Sequence, residues 1–276
     1  MRLEFVKMSG AGNDFIVVDN RDGSLEGILS APFIASICKR GIAVGADGLL
    51  ELREDHATAF RMKYYNSDGS AAEMCGNGGR CIVVYACSKG LVEPGAAFEF
   101  MSDAGVHRGM VTGMEESRIW MTPPVVHFLD REMEVGNTTV RVSLVDTGVP
   151  HAVVITEGPD SPPFLSVAPA LRNHPSLGES GANADYLWTG DGGFSMRTWE
   201  RGVEGETLAC GTGAVACALC AGKLLGARMP VGIEVKSGRT LTVGNDDHGW
   251  WLQGEAREVY RGILEHPSPK SLTEEG

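Results

Sequence analysis

The sequence lacks a long apolar run, an excess of basic residues and a repeated pairing of cysteines. No apolar run reaches the ~20 residues that a helix needs to cross a bilayer, so a membrane-spanning protein is not expected. Lys and Arg number 24 against 36 Asp and Glu, which gives a net charge of -12. This balance disfavours nucleic acid and anionic membrane surfaces as partners. An ordinary globular protein remains, in one large or two medium domains.

The seven cysteines are odd in number and irregular in spacing, which disfavours a disulfide framework and fits reduced thiols. The start Met1-Arg2-Leu3-Glu4 lacks the charged-then-apolar order of a secretory signal. Cys217 and Cys220 have the spacing of half a zinc site, but no second Cys pair or paired His spacing accompanies them. We therefore expect a cytoplasmic protein without a metal, in which five thiols only pack: Cys38, Cys81, Cys87, Cys217 and Cys220.

The other two cysteines begin similar glycine-rich segments. Cys75 precedes Gly76-Asn77-Gly78-Gly79, and Cys210 precedes Gly211-Thr212-Gly213. A small apolar run that favours a helix follows each segment. A cysteine at a helix N-terminus has a lowered pKa, and the N–H groups there bind small anions. The two segments therefore predict a pair of thiol acid/bases that act on one anionic substrate.

The chain repeats itself at an offset near the 135 residues that separate Cys75 from Cys210. Apolar, basic, aromatic and polar positions match in order between Phe60–Asn66 and Phe194–Glu200. Two further pairs align at nearly the same offset: Phe15–Val18 with His151–Val154, and Ala46–Leu49 with Ala184–Leu187. Met121-Thr122-Pro123-Pro124 marks a turn between the halves. We expect one half at 1–118, a second at 119–256, and a return strand with a polar tail at 257–276.

The periodicity of the halves predicts an α/β (α+β) fold with mixed or antiparallel sheets rather than a regular βαβ order. Helices are predicted over 31–40, 80–89, 168–172 and 215–225. Gly211-Thr212-Gly213 is only part of a dinucleotide fingerprint, and no phosphate-binding lysine follows either glycine cluster. A bound nucleotide is therefore not expected.

Several polar residues lie beside these segments. Glu200 and Arg201 end a predicted strand before Cys210, and Asn66 holds the matched place before Cys75. The pair can hold an amino acid, with Glu200 on the ammonium and Arg201 on a carboxylate, or it can be a surface ion pair. His151 follows a rigid turn, where it is either structural or the partner that a thiol acid/base needs.

Together these strings resemble the diaminopimelate epimerase family over nearly the whole chain. The resemblance rests on Gly10–Phe15, Asn66–Arg80, Pro150-His151, Asn183 and Glu200–Gly213. It implies two pseudo-symmetric domains, each a curved sheet around a central helix, with the active site in the cleft between them. It also implies a pyridoxal-phosphate-independent isomerase of lysine and peptidoglycan precursor biosynthesis that uses no cofactor. A homodimer is compatible with the sequence.

The resemblance assigns a role to each matched residue. Cys75 and Cys210 are implied as the proton donor and acceptor on opposite faces of the α-carbon of LL- or meso-diaminopimelate. His151 and Glu200 are implied to tune the two thiols. The residues implied to bind the substrate are Asn13, Asn66, Gly76, Asn77, Asn183, Glu200, Arg201, Gly211 and Thr212.

Two positions depart from the family pattern and keep alternatives open. Val149 stands where the family usually has asparagine before Pro-His, and Gly48 stands where some members have glutamine. Val149 cannot donate a hydrogen bond to the distal end of the substrate, which motivates a racemase of another amino acid as the rival hypothesis. A cysteine hydrolase that uses Cys75 or Cys210 with His151 is a second rival. A thiol-rich metal or redox-sensing module is a third.

Overall fold

The computed structural model describes residues 2–190 and 192–265, so the polar tail expected at 266–276 lies outside the described residues. The chain folds as two compact units, and both combine helices with β-strands, which confirms the α/β class. Within the described residues, the first unit comprises 2–119 and 255–265, and the second comprises 120–190 and 192–254. No helix among the described residues is long and apolar enough to cross a membrane.

The first unit is a sheet with two helices. Its strands run in the order β18–β1–β2–β3–β4–β6–β7–β8, and the short β5 also pairs with β4. Only the β2–β3 and β4–β6 pairs are parallel. The bounds are β1 Arg2–Gly10, β2 Asn13–Asp19, α1 Ala31–Cys38, β3 Gly48–Arg53, β4 Arg61–Asn66, β5 Ala71–Ala72, α2 Gly76–Ser88, β6 Phe98–Ser102, β7 Gly105–Gly113, β8 Glu116–Trp120 and β18 Arg257–Glu265.

The second unit has the same layout. Its strands run β9–β10–β11–β12–β13–β15–β16–β17, β14 also pairs with β13, and only β11–β12 and β13–β15 are parallel. The bounds are β9 Val125–Val135, β10 Thr138–Asp146, β11 Pro150–Ile155, α3 Phe164–Arg172, a 3-10 turn Pro175–Leu177, β12 Asn183–Gly190, β13 Gly193–Glu200, β14 Gly205–Thr207, α4 Gly211–Leu225, β15 Val231–Glu234, β16 Thr240–Asp246 and β17 Gly249–Glu255. The shared order is the structural form of the repeat seen in the sequence.

Strand register corrects one of the matched segments. Leu49 lies opposite Tyr65 in the first unit, and Ala184 lies opposite Trp199 in the second, so Leu49 corresponds to Ala184. The sequence alignment of Ala46–Leu49 with Ala184–Leu187 is therefore wrong by three residues. Both segments contain Ala-Asp followed two residues later by Leu, and this chance likeness outweighed the strand register. The corrected register makes Leu50 the counterpart of Asp185, and Phe15 the counterpart of His151.

Each unit packs one almost fully buried helix against its sheet. α2 contacts β1, β2, β3, β4 and β7, while α4 contacts β10, β11, β12, β13, β15 and β16. In α4, ten of the first eleven residues are buried. A helix that is apolar on all faces is typical of a central core position. The helices α1 and α3 cover a second core in their respective units, built around Phe33 and Phe164.

The predicted helices exist, but their bounds differ from the structure. α2 and α4 begin at Gly76 and Gly211, four residues before the predicted starts, because glycines that disfavour a helix interior form the first turn here. α3 begins at Phe164 instead of Ala168 and contains Pro169. α1 ends at Cys38 instead of Arg40. The early starts matter most, because they make each cysteine the residue that immediately precedes a helix.

Candidate active site

Cys75 and Cys210 are the N-cap residues of α2 and α4. Both have extended backbone angles, with φ and ψ of -137° and 123° for Cys75 and -124° and 110° for Cys210. Their carbonyls accept the first helical hydrogen bonds, from Gly79 at 2.7 Å and from Ala214 at 3.0 Å. The sheet therefore delivers each thiol to the positive end of a buried helix, where backbone N–H groups can bind a carboxylate.

In the first unit a directed chain of hydrogen bonds surrounds Cys75. The thiol donates to Asn13 Oδ1 across 3.9 Å, and the same oxygen accepts from Asn77 Nδ2 at 3.3 Å. Asn13 Nδ2 donates to the carboxylate of Asp47, which fixes which end of the amide faces the thiol. Asn13, Asn77 and Cys75, all predicted site residues, are thus brought together.

Arg80 anchors the other end of that chain. Its side chain is fully buried, and its Nη2 donates to Asn77 Oδ1 at 2.9 Å. Among the described residues it forms no ion pair with a carboxylate, although an isolated buried charge is costly. Burial lowers the pKa of the guanidinium, while Cys81, Cys75 and Glu255 raise it. Arg80 therefore brings positive charge to the Cys75 end of α2.

The hydrogen bonds of Asn66 lie in the turn that follows β4. This residue ends β4, and its Nδ2 donates to Ser70 Oγ at 3.0 Å within the turn that leads towards Cys75. Its backbone pairs with Gly48 across β3 and β4. A side chain on Gly48 would meet the carbonyl of Tyr65 at 2.4 Å and the ring of Tyr64 at 2.8 Å, so the close strands here require glycine.

In the second unit Cys210 joins a buried polar cluster. Its sulfur lies 3.4 Å from Thr212 Oγ1, and that hydroxyl lies 2.9 Å from His151 Nε2. His151 Nδ1 lies 2.6 Å from Asp185 Oδ2. Asn183 Nδ2 lies 3.3 Å from His151 Nε2. Four predicted site residues therefore meet here, together with one residue that was not predicted, Asp185.

The pKa of Cys210 is raised well above its ordinary value. Burial is the largest cause, and the negative charges of Glu200 and Asp185 add to it. Hydrogen bonds from Thr212 and from the backbone of Gly213 act in the opposite direction but are outweighed. The expectation of a lowered pKa at this helix N-terminus is therefore wrong for Cys210.

Gly213 allows α4 to approach this cluster. A Cβ at this position would lie 2.8 Å from Asp185 Oδ1, 3.1 Å from Met196 Cε and 3.2 Å from His151 Cε1. The first distance is shorter than real Cβ contacts allow, and the carboxylate is held in place by Thr198. The glycine is required for packing as well as for the helix start.

Glu200 ends β13, and Arg201 is the first residue of the turn that follows. The backbone N–H of Arg201 donates to Asn183 Oδ1 at 2.7 Å, which turns Nδ2 of that amide towards His151. The guanidinium of Arg201 reaches Gly181 O at 3.5 Å.

The carbonyl of Val149 accepts from Thr147 N at 3.1 Å in the turn before His151. Gly211 is the first residue of α4, and Gly76 is the first residue of α2.

Sequence reasoning missed three residues of these clusters. Asp185 and Arg80 are fully buried, and Asp47 orients Asn13. Asp185 and Arg80 each stand as a single charged residue in a segment of apolar and small residues. A charged residue is almost never fully buried without a partner, so this position was the available signal for a polar partner nearby. Among the described residues, no cluster of three or more His, Cys, Asp or Glu side chains is suited to a metal, and none of the seven cysteines forms a disulfide.

Comparison with solved structures defines the class of fold. A PhzF-family phenazine biosynthesis protein from Bacillus anthracis superposes with a TM-score of 0.70 at 15% identity, covering 96% of this chain and 99% of that one. A probable proline racemase from Agrobacterium radiobacter gives a TM-score of 0.68 at 16% identity, covering 96% and 93%. At such identities the likeness concerns the fold, which is the two-domain fold of these proteins.

Sequence comparison narrows the class to one family. A sequence model described as diaminopimelate epimerase matches residues 5–126 and 143–259. A diaminopimelate epimerase from Chlorobaculum tepidum is 41% identical over 263 residues, covering 93% of this chain and 99% of that protein. One from Aquifex aeolicus is 36% identical over 275 residues, covering 95% and 98%. The chain belongs to the diaminopimelate epimerase family, as the resemblance implied.

Proposed function

We propose that this chain is an isomerase that interconverts LL- and meso-diaminopimelate, the reaction for which its relatives are named. The observation that carries the proposal is the equivalent placement of Cys75 and Cys210, each directly before the central helix of one of two repeated units. Inversion by proton transfer needs one base and one acid, and two thiols at like positions supply both.

The mechanism moves one proton off the α-carbon and another onto it. A thiolate removes the α-proton, and the opposite thiol protonates the other face, so the two cysteines exchange states in each turnover. The N–H groups at the starts of α2 and α4 (Gly76, Asn77, Gly211 and Thr212) bind the carboxylate, where negative charge builds up in the transition state. This electrostatic stabilisation takes the place of an electron-withdrawing cofactor.

The remaining predicted residues hold the rest of the substrate. Glu200 accepts from an ammonium group, and Arg201 pairs with a carboxylate, since its guanidinium suits that geometry. The amides of Asn13, Asn66 and Asn183 complete the polar contacts, and His151 and Glu200 set the protonation of the thiols. We further propose a cytoplasmic location, in keeping with seven cysteines outside any disulfide, and assembly as a homodimer.

The test is stereoinversion measured by chiral chromatography on a panel of amino acids. We expect conversion of LL-diaminopimelate to the meso isomer, and loss of conversion by alanine at either Cys75 or Cys210. Turnover of another amino acid in place of diaminopimelate would favour the rival racemase, for which Val149 is the supporting observation. Survival of activity in one of the two alanine variants would contradict the two-thiol mechanism.

A further inference from the structure

The cluster around Cys210 forms an unbroken line of hydrogen-bond partners. It runs from the thiol to Thr212 Oγ1 over 3.4 Å, from that hydroxyl to His151 Nε2 over 2.9 Å, and from His151 Nδ1 to Asp185 Oδ2 over 2.6 Å. Thr198 Oγ1 closes the line by donating to Asp185 Oδ1 at 2.6 Å. His151 and Asp185 are fully buried, so water does not take the place of these partners.

The direction of the hydrogen bonds follows from the ends of the line. An ionised carboxylate only accepts, so the proton between His151 and Asp185 is on Nδ1. The amide of Asn183 is oriented by the backbone N–H of Arg201, which places Nδ2, a donor, 3.3 Å from His151 Nε2. Asn183 Nδ2 also donates to Pro150 O at 3.4 Å, which leaves the single lone pair of Nε2 to the closer Thr212 hydroxyl at 2.9 Å. Thr212 then donates to Nε2 and its oxygen accepts from the Cys210 thiol.

This line belongs to the second unit alone. The counterpart of His151 in the first unit is Phe15, and the counterpart of Asp185 is Leu50, both of them buried apolar residues. Cys75 instead contacts the amide of Asn13. The pair His151–Asp185 thus breaks the repeat within the hydrogen-bonded cluster that contains Cys210, which is evidence for a role specific to that thiol.

We propose that Thr212 and His151 form a proton relay for Cys210, and that Asp185 is a positioning residue that fixes the His151 tautomer. As the S–H bond of Cys210 breaks, its proton passes to Thr212 Oγ1 while the Thr212 proton passes to His151 Nε2. The products are a thiolate and an imidazolium beside the Asp185 carboxylate. The reverse transfer restores the thiol, so no further reactant is needed. This inference rests on the proposed function, in which Cys210 alternates between acid and base.

The charged and titratable groups around Cys210 allow a simple charge effect to be distinguished from the relay. Glu200 at the end of β13 and Asp185 on β12 act on the thiol directly, Cys217 lies further along α4, and His151 on β11 reaches it through Thr212. If Asp185 acted only by its charge, Asp185→Asn would make Cys210 easier to ionise. If Asp185 holds the relay, the same change would make Cys210 harder to ionise, because an amide can leave the proton on the wrong nitrogen.

The experiment follows alkylation by iodoacetamide across pH in the full chain, with each cysteine resolved by peptide mass spectrometry. In Asp185→Asn and in Thr212→Val, we expect Cys210 to react about tenfold more slowly at pH 8, which corresponds to an upward shift of about one pH unit. Thr212→Ser keeps the hydroxyl and should restore the wild-type profile. Cys75 is the matched control thiol and should be unaffected, while Cys217 and Cys220 report any loosening of the fold.

Each outcome decides the proposal. Faster or unchanged alkylation of Cys210 in Asp185→Asn would overturn the relay. Should that variant fail to fold, Thr212→Val decides, because Thr212 is only half-buried and valine has the same shape. An unchanged Cys210 profile in that variant would also overturn the relay. The readout does not depend on turnover, so a chain inactive on every amino acid would refute the proposed function and leave the relay result standing.

Discussion

At the scale of single residues, the two thiols differ in charge environment although their backbones are alike. Cys210 is buried beside Asp185 and near Glu200, whereas Cys75 is half-buried, contacts Asn13, and shares its helix with the buried cation Arg80. Positive charge favours a thiolate and negative charge favours a thiol. Asp185 and Glu200 therefore favour the thiol form of Cys210, whereas Arg80 adds positive charge to the helix that carries Cys75.

Glu200→Gln tests the electrostatic part of this difference. Because Glu200 raises the pKa of Cys210, its neutral replacement lowers that pKa, so the thiolate fraction at pH 8 increases. We expect faster alkylation of Cys210 by iodoacetamide, by about threefold to tenfold for a shift of half a unit to one unit. Glu234→Gln, an exposed change on β15, is the control. Equal rates in the wild type and in Glu200→Gln would contradict the assigned cause.

Some site residues were predictable at this scale and others were not. Cys75 and Cys210 were predictable because glycine-rich segments after a cysteine have a known physical use, as helix starts that bind anions. Asp185 was not predictable, because its partner His151 lies 34 residues away and the two meet only through the parallel pairing of β11 with β12. Arg80 was missed since its run was interpreted as helix packing alone.

At the scale of elements, the starts of α2 and α4 determine the site. Each helix begins on glycine, which has no Cβ, so the backbone can approach neighbouring side chains closely. Helix propensity alone predicts that α2 starts at Arg80 and α4 at Val215, because glycine is a poor helix former. Tertiary packing overrides this preference, and that packing depends on the strands on which each helix rests.

Gly213→Ala tests the close approach of α4 to the His151–Asp185 pair. The added methyl group would lie 2.8 Å from Asp185 Oδ1, so we expect the free energy of unfolding to fall by about 1–3 kcal/mol. Urea denaturation followed by circular dichroism measures the change. Gly222→Ala in the same helix is the matched control. Its methyl group would meet Ala227 O at an ordinary 3.5 Å, so a gain of up to about 1 kcal/mol is expected.

If Gly222→Ala were also destabilised, α4 would tolerate no side chain at either glycine. The contact distance at Gly213 would then not explain the loss of stability in Gly213→Ala. An unchanged Gly213→Ala would contradict the packing account directly. The comparison is informative because both substitutions add one methyl group to the same helix and differ in the atoms that the group meets.

At the scale of the whole molecule, the repeat organises both fold and chemistry. The two units have the same strand order, and the outer strand of the first unit, β18, comes from the far end of the chain. The repeat was visible in the sequence because the strands that precede the two cysteines have apolar and aromatic residues at matching positions. The exact register was not visible, and one matched segment was misaligned by three residues. Registers depend on pairing across strands, which local patterns do not encode.

In the proposed mechanism one cysteine removes the α-proton of diaminopimelate and the other protonates the opposite face of that carbon. The most direct measurement is mass spectrometry and proton NMR of LL-diaminopimelate incubated with the protein in deuterated water. We expect a meso product with one deuterium at the inverted α-carbon, and no label with alanine at Cys75 and Cys210 together. No α-label in diaminopimelate, with label in another amino acid or in none, would contradict the account.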